Sequence, residues 1–240
     1  MDKVHVAFAL DRKYIQHLSV ALYSLLTNNR NLNFNVYLIS DGIGKQELKR
    51  IEFICDKFKH KLVNTNVKGN IFDNLITNYH FTKAIYYKLL IPEYIDSEKV
   101  LFIDSDTVVN NSVSDLYSID IGNAFLAAIE NPGFYRHNQL CMDSNSKYFN
   151  SGIMFINSIK WREEKLYERV LEFIKIHSDN IRFPEQDGLN AVINGNWIPL
   201  PPKFNLQTSM LEKECSCFSK LELDEKTILT LPFSLSLSPT

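Results

Sequence analysis

Short apolar runs alternate with longer stretches in which apolar residues return every three or four positions, and this alternation constrains the fold more than any other feature of the chain. Residues 4–10 read as a buried strand. Further strands are predicted at 33–40, 61–67, 99–104, 125–129 and 152–157. Between them, Ile15, Leu18, Leu22, Leu25 and Leu26 recur at helical spacing within 14–26. Leu48, Ile51, Ile54, Cys55 and Phe58 share one face of a second helix over 45–58, and Leu166, Val170, Phe173 and Ile174 mark a third from about 163 to 177. Strands alternating with helices predict an α/β fold with a mostly parallel central sheet flanked by helices. The 240 residues, 45% of them hydrophobic, suffice for one domain with a full core. From about Leu211 the patterns weaken into Leu/Ser/Pro-rich sequence, so a domain over 1–210 and a loosely anchored tail over 211–240 are expected.

Several classes of function are disfavoured. A formal net charge of -2 does not suit a protein that grips nucleic acid by neutralising phosphates. No apolar run is long enough to span a bilayer, and Met1-Asp2-Lys3 is not laid out as a signal peptide. The four cysteines are too few and too irregularly spaced for a disulfide framework, so a reduced, cytoplasmic protein is expected. Gly42 and Gly44 lack the third glycine of a dinucleotide fingerprint, and no GxxxxGK[ST] occurs.

The sharpest local signal is the stretch from Lys99 to Thr107, an apolar strand ending in Asp104-Ser105-Asp106. At the carboxyl edge of a parallel sheet both aspartates can turn into the crevice where ligands bind. Two hard oxygen donors there suit Mg2+ or Mn2+ shared with substrate phosphates, although solvated strand-end residues would look the same. Asp104, Asp106 and Thr107 also fit the Asp-x-Asp-x-Thr of haloacid-dehalogenase-type phosphatases. In those enzymes the motif follows the first strand, whereas here about a hundred residues of α/β pattern precede it.

Six ordered blocks give a stronger resemblance: VAFALDRKY (6–14), YYKLLIPEYI (86–95), KVLFIDSDTVV (99–109), YFNSGIMFINSIKWR (148–162), FPEQDGLN (183–190) and KFN (203–205). Over residues 4–206 the chain resembles glycosyltransferase family eight, the bacterial lipopolysaccharide galactosyl- and glucosyltransferases and their glycogenin-like relatives. The resemblance implies a GT-A-type, Rossmann-like domain that moves glucose or galactose from UDP-glucose or UDP-galactose to a saccharide or glycolipid acceptor. It implies retention of anomeric configuration, with no role for nucleic acid and with peripheral membrane association left open.

The same resemblance distributes roles. Leu10 and Asp11 would meet the uracil and Tyr14 would stack on it, although Asp11 could equally cap the following helix. Lys88 stands where the family usually has Arg, and keeps the charge without the planar fork. Asp104 and Asp106, with Ser105 between them, would hold Mn2+ (or Mg2+) on the diphosphate. Asn150, in a turn before the strand at 152–157, would touch the hexose. Glu185, Gln186 and Asp187 would form the catalytic group, with Gln186 beneath the anomeric carbon and Glu185 replacing a more usual Asp. The family's closing His-x-x-Gly-x-x-Lys-Pro-Trp-like segment, source of a third metal ligand, has no counterpart after His177. A truncated or divergent end, with donor binding kept and transfer weakened, is therefore expected. A donor-binding remnant of the family is the alternative.

Overall fold

The computed structural model describes residues 3–69, 71–77, 82–207 and 210, together with the backbone of 233–234. The chain opens with β1 (Val4–Ala9), α1 (Ile15–Asn28), β2 (Phe34–Ser40), α2 (Lys45–Lys57) and β3 (Lys61–Asn66). A 3-10 stretch over Lys83–Leu90 leads into α3 (Ile91–Tyr94), β4 (Lys99–Ile103), β5 (Thr107–Val108), α4 (Ser114–Tyr117) and β6 (Leu126–Glu130). Then come β7 (Phe149–Asn157), α5 (Ser158–Glu163), α6 (Leu166–Ile176), α7 (Pro184–Ile193), β8 (Ile198–Leu200) and β9 (Phe233–Ser234).

Seven strands form one sheet in the order β3-β2-β1-β4-β7-β6-β8. Pairings among β1 to β4, and that of β6 with β8, are parallel. β7 runs antiparallel to both β4 and β6. The expected mostly parallel α/β sheet is therefore present, with one reversed strand. Alternating side chains on each strand supply two cores, one per face. Val100 and Phe102 of β4 join Met154 and Ile156 of β7 on one side. Leu101 and Ile103 join Val6, Phe8, Ile153 and Phe155 on the other, beneath α1 and α2. No described helix is long and apolar enough to cross a membrane.

Two expected boundaries move. The helix expected from about 163 to 177 is present as α6 but starts at Leu166, separated from α5 by a break at Lys165, whose φ of 48° is left-handed. Trp161 and Leu166 are both fully buried. Five residues of straight helix would set them roughly 140° apart, so the chain breaks and re-phases to bury both. Asn150 lies inside β7 rather than in a turn before it, because pairing with β6 extends the strand back to Phe149. The helix carrying Glu185 to Asp187 starts at Pro184, a residue suited to the first turn. The expected tail, and the missing segment after His177 insofar as it concerns 211–232 and 235–240, lie outside the described residues.

Candidate active site

The strand order reverses between β1 and β4, since β2 and β3 lie to one side of β1 and the later sheet strands lie beyond β4. Loops leaving two such strands part in opposite directions and open a crevice at their carboxyl ends. A cleft opens at that position. Leu10, Asp11 and Tyr14 line it after β1, Asp104, Ser105 and Asp106 line it after β4, and Lys88 and Glu185 complete it. Eight of the expected site residues thus converge. Asn150, Gln186 and Asp187 are not among the lining residues.

On the β1 side, Asp11 is buried and both of its oxygens are engaged. Oδ1 accepts the Lys13 N–H at 2.8 Å, capping the short 3-10 turn over Arg12–Tyr14, and Oδ2 accepts the Thr82 hydroxyl at 2.8 Å. The capping contact is present, and Thr82 is a partner that no sequence pattern marked. Tyr14 stays 39% exposed at the rim, which leaves an aromatic face for stacking. Burial, followed by the nearby Asp106 charge, holds its phenol above the ordinary value.

On the β4 side a buried lysine organises the charges. Lys88 is 4% exposed, so it does not snorkel to water. Its Nζ lies 3.2 Å from both Asp104 Oδ1 and Glu185 Oε1, 3.4 Å from the Ser151 carbonyl, and over the Phe102 ring. Burial works against the ammonium, but the Asp104 and Glu185 charges outweigh it and hold the Lys88 pKa above its usual value. The Asp104 carboxyl opens to the cleft on one side, with 37% of its side chain exposed. Crowding on its other sides raises its pKa to about 7; Lys88 opposes that rise, while Asp106 and Glu185 add to it. Burial likewise raises Asp106. Two carboxylates held above their ordinary range, facing one cleft with only Lys88 between them and Glu185, form a donor set that fits a hard divalent cation. Among the described residues no third His, Cys, Asp or Glu joins them in a metal-binding group.

Behind the cleft, Gly152 lets β7 approach β4. A Cβ there would lie 2.9 Å from Asn150 Oδ1 and 3.1 Å from Asp104 Oδ2. Asn150 Oδ1 accepts from the Gly152 N–H and from Asn205 Nδ2, so the KFN block braces Asn150 beside Asp104. In the first turn of α7, Glu185 points into the cleft and accepts the Ser151 hydroxyl at 3.1 Å. Gln186 sits one layer behind, 7% exposed, and Asp187 is wholly enclosed. Tyr148, Ser151 and Arg136 pack around these residues. Tyr148 and Ser151 lie within the YFNSG block, but nothing in the sequence singles out their hydroxyls, and Arg136 carries no signal at all.

The mixed sheet of this order, with paired aspartates at its switch point, has the GT-A fold shared with solved structures. The chain belongs to glycosyl transferase family 8, whose model matches residues 5–229, beyond the last of the six sequence blocks. It is 34% identical over 217 residues to General stress protein A of Bacillus subtilis (strain 168), covering 88% of this chain and 76% of that protein. It is 22% identical over 236 residues to the lipopolysaccharide 1,2-glucosyltransferase of Escherichia coli (strain K12), covering 94% and 70%. Among solved structures, the galactosyltransferase LgtC in complex with donor and acceptor sugar analogs shares the fold, with a TM-score of 0.83 at 23% identity over 94% of this chain and 82% of that one. This membership sets aside the phosphatase reading of Asp104-x-Asp106-x-Thr107.

Proposed function

We propose that the protein is a retaining hexosyltransferase, moving glucose or galactose from UDP-glucose or UDP-galactose to a cell-surface glycan or lipopolysaccharide acceptor. The reading places it in the cytoplasm, at the inner face of the membrane where the acceptor is a glycolipid. The observation that carries it is the convergence of Asp11 and Tyr14 from β1 with Asp104, Asp106 and Glu185 on one cleft at the switch point.

In this reading Tyr14 stacks on the uracil, and Asp11 with the backbone at Leu10 fixes its edge. Asp104 and Asp106 hold Mn2+ or Mg2+, which as a Lewis acid would stabilise charge on the departing UDP. Glu185 accepts hydrogen bonds from sugar hydroxyls, and Lys88 holds its carboxylate in place. Gln186 contributes a neutral amide dipole near the anomeric carbon. An amide is a poor nucleophile, so departure and attack on the same sugar face replace a covalent sugar intermediate.

UDP release from UDP-glucose and UDP-galactose with Mn2+, together with the anomeric configuration of the product by NMR, tests this. Metal-dependent release with retention is expected. An inverted product, or release unaffected by a chelator, would overturn the mechanism. The donor-binding remnant differs in predicting UDP binding with Mn2+ but no release.

A further inference from the structure

Asp187 is 0% exposed, and each of its oxygens is occupied. Oδ2 accepts the backbone N–H groups of Arg182 at 2.8 Å and Phe183 at 3.1 Å, and faces the Arg136 guanidinium at 3.4 and 3.5 Å. Oδ1 accepts the Tyr148 hydroxyl at 2.6 Å. A carboxylate wholly enclosed in this way does not reach a sugar in the cleft. What it does is fix a neighbour.

An ionised carboxylate only accepts, so Tyr148 must direct its one hydroxyl proton at Asp187. Its lone pairs are then all it can offer to Gln186, whose Nε2 donates to the hydroxyl oxygen at 3.0 Å. At the other end of the same carboxamide, Oε1 accepts the Ser151 N–H at 2.9 Å and lies 3.3 Å from the Ser151 hydroxyl. The two ends demand the same orientation. A half-turn of the amide would put Oε1 against the Tyr148 lone pairs and the NH2 against the Ser151 N–H, losing both bonds in a dry environment. Burial and the Asp187 charge hold the Tyr148 phenol well above its ordinary pKa, so the donor keeps its proton.

We infer that Tyr148 is a positioning residue: anchored by Asp187, its hydroxyl locks the Gln186 carboxamide in one rotational state, Nε2 inward and Oε1 towards Ser151 at the back of the cleft. The inference rests on the proposed reading of Gln186 for its consequence in catalysis, but not for its geometry. The ring of Tyr148 stacks on Phe134 with centroids 3.8 Å apart and planes 10° apart. Tyr148→Phe therefore removes one oxygen and leaves the packing.

Two measurements test this. In 15N-labelled protein, the Gln186 side-chain NH2 signals, identified by their loss in Gln186→Ala, should be protected from exchange with solvent. In Tyr148→Phe they should exchange at least tenfold faster or split into two sets. Unchanged protection in Tyr148→Phe would overturn the lock. In UDP-release assays, Tyr148→Phe should lower kcat at least tenfold with donor KM within twofold of wild type, and should add no loss in the Gln186→Ala background. A full additional loss in that background would show that Tyr148 acts by some other route. If Gln186→Ala alone keeps wild-type kcat, the reading of Gln186 in catalysis fails, while the exchange result still decides the lock.

Discussion

Lys88 sets the electrostatics of the cleft by standing between two carboxylates. Removing one partner of a buried pair leaves charge without compensation, typically at a cost of about 3–5 kcal/mol. Lys88 and Glu185 are nearly enclosed while Asp104 is partly open, which places Lys88→Met near the lower end. Urea denaturation without metal should show a loss of about 3 kcal/mol, reduced by Mn2+, which would supply the missing positive charge. A loss unaffected by Mn2+ would contradict the proposal that a cation bound at Asp104 lies beside Lys88. Asp104 gives a second test. Its pKa is about 7 when folded against an ordinary 3.8. The native state then binds the proton more tightly than the unfolded chain, so this group lowers stability as pH rises from about 4 to 7. Without metal, Asp104→Asn should match the wild-type Tm below pH 4 and exceed it at pH 8. The same offset at both pH values would contradict the assignment. At this scale the sequence is uneven. Asp104, Asp106 and Glu185 stand beside other motif residues and are legible, whereas Tyr148 meets Asp187 39 residues away and Thr82 meets Asp11 71 residues away. Spacing along the chain carries no mark of such contacts.

At the scale of elements, apolar periodicity located six of the seven strands of the main sheet and the three expected helices, whose apolar faces are buried. It missed what depends on tertiary demands. Strand direction is absent from a pattern that alternates identically either way, so the reversal of β7 could not be read. The break at Lys165 follows from burying both Trp161 and Leu166. That break places an L-residue in the left-handed region, at a cost of about 1–2 kcal/mol that glycine avoids. Lys165→Gly should therefore raise stability by up to about 1 kcal/mol in urea denaturation, after glycine's greater unfolded-state entropy is counted. A clear loss of stability would mean that the Lys165 side chain contributes more than its backbone strain costs. Close packing at Gly188, where a Cβ would lie 2.9 Å from Ile174 and Val170, holds the helix carrying Glu185 and Gln186 against α6.

For the whole molecule, the alternation of strands and helices foretold the layers, and the six blocks foretold the family. The switch point joins these two readings, because it brings residues 10–14 and 104–106, far apart in sequence, to the same crevice. That crevice is lined by Asp11, Asp104, Asp106 and Glu185, with Lys88 the one cationic lining residue among those described. A bare diphosphate would meet net repulsion there, and a divalent cation would offset most of that negative charge. Binding of UDP should therefore depend on metal and on the strand-end aspartates together. Isothermal titration of UDP into the wild-type protein and into Asp106→Ala, each with Mn2+ and with a chelator, tests this most directly. The account predicts heat of binding for the wild type with Mn2+, and loss of at least tenfold in affinity either with chelator or in Asp106→Ala. Equal affinity under all four conditions would contradict it.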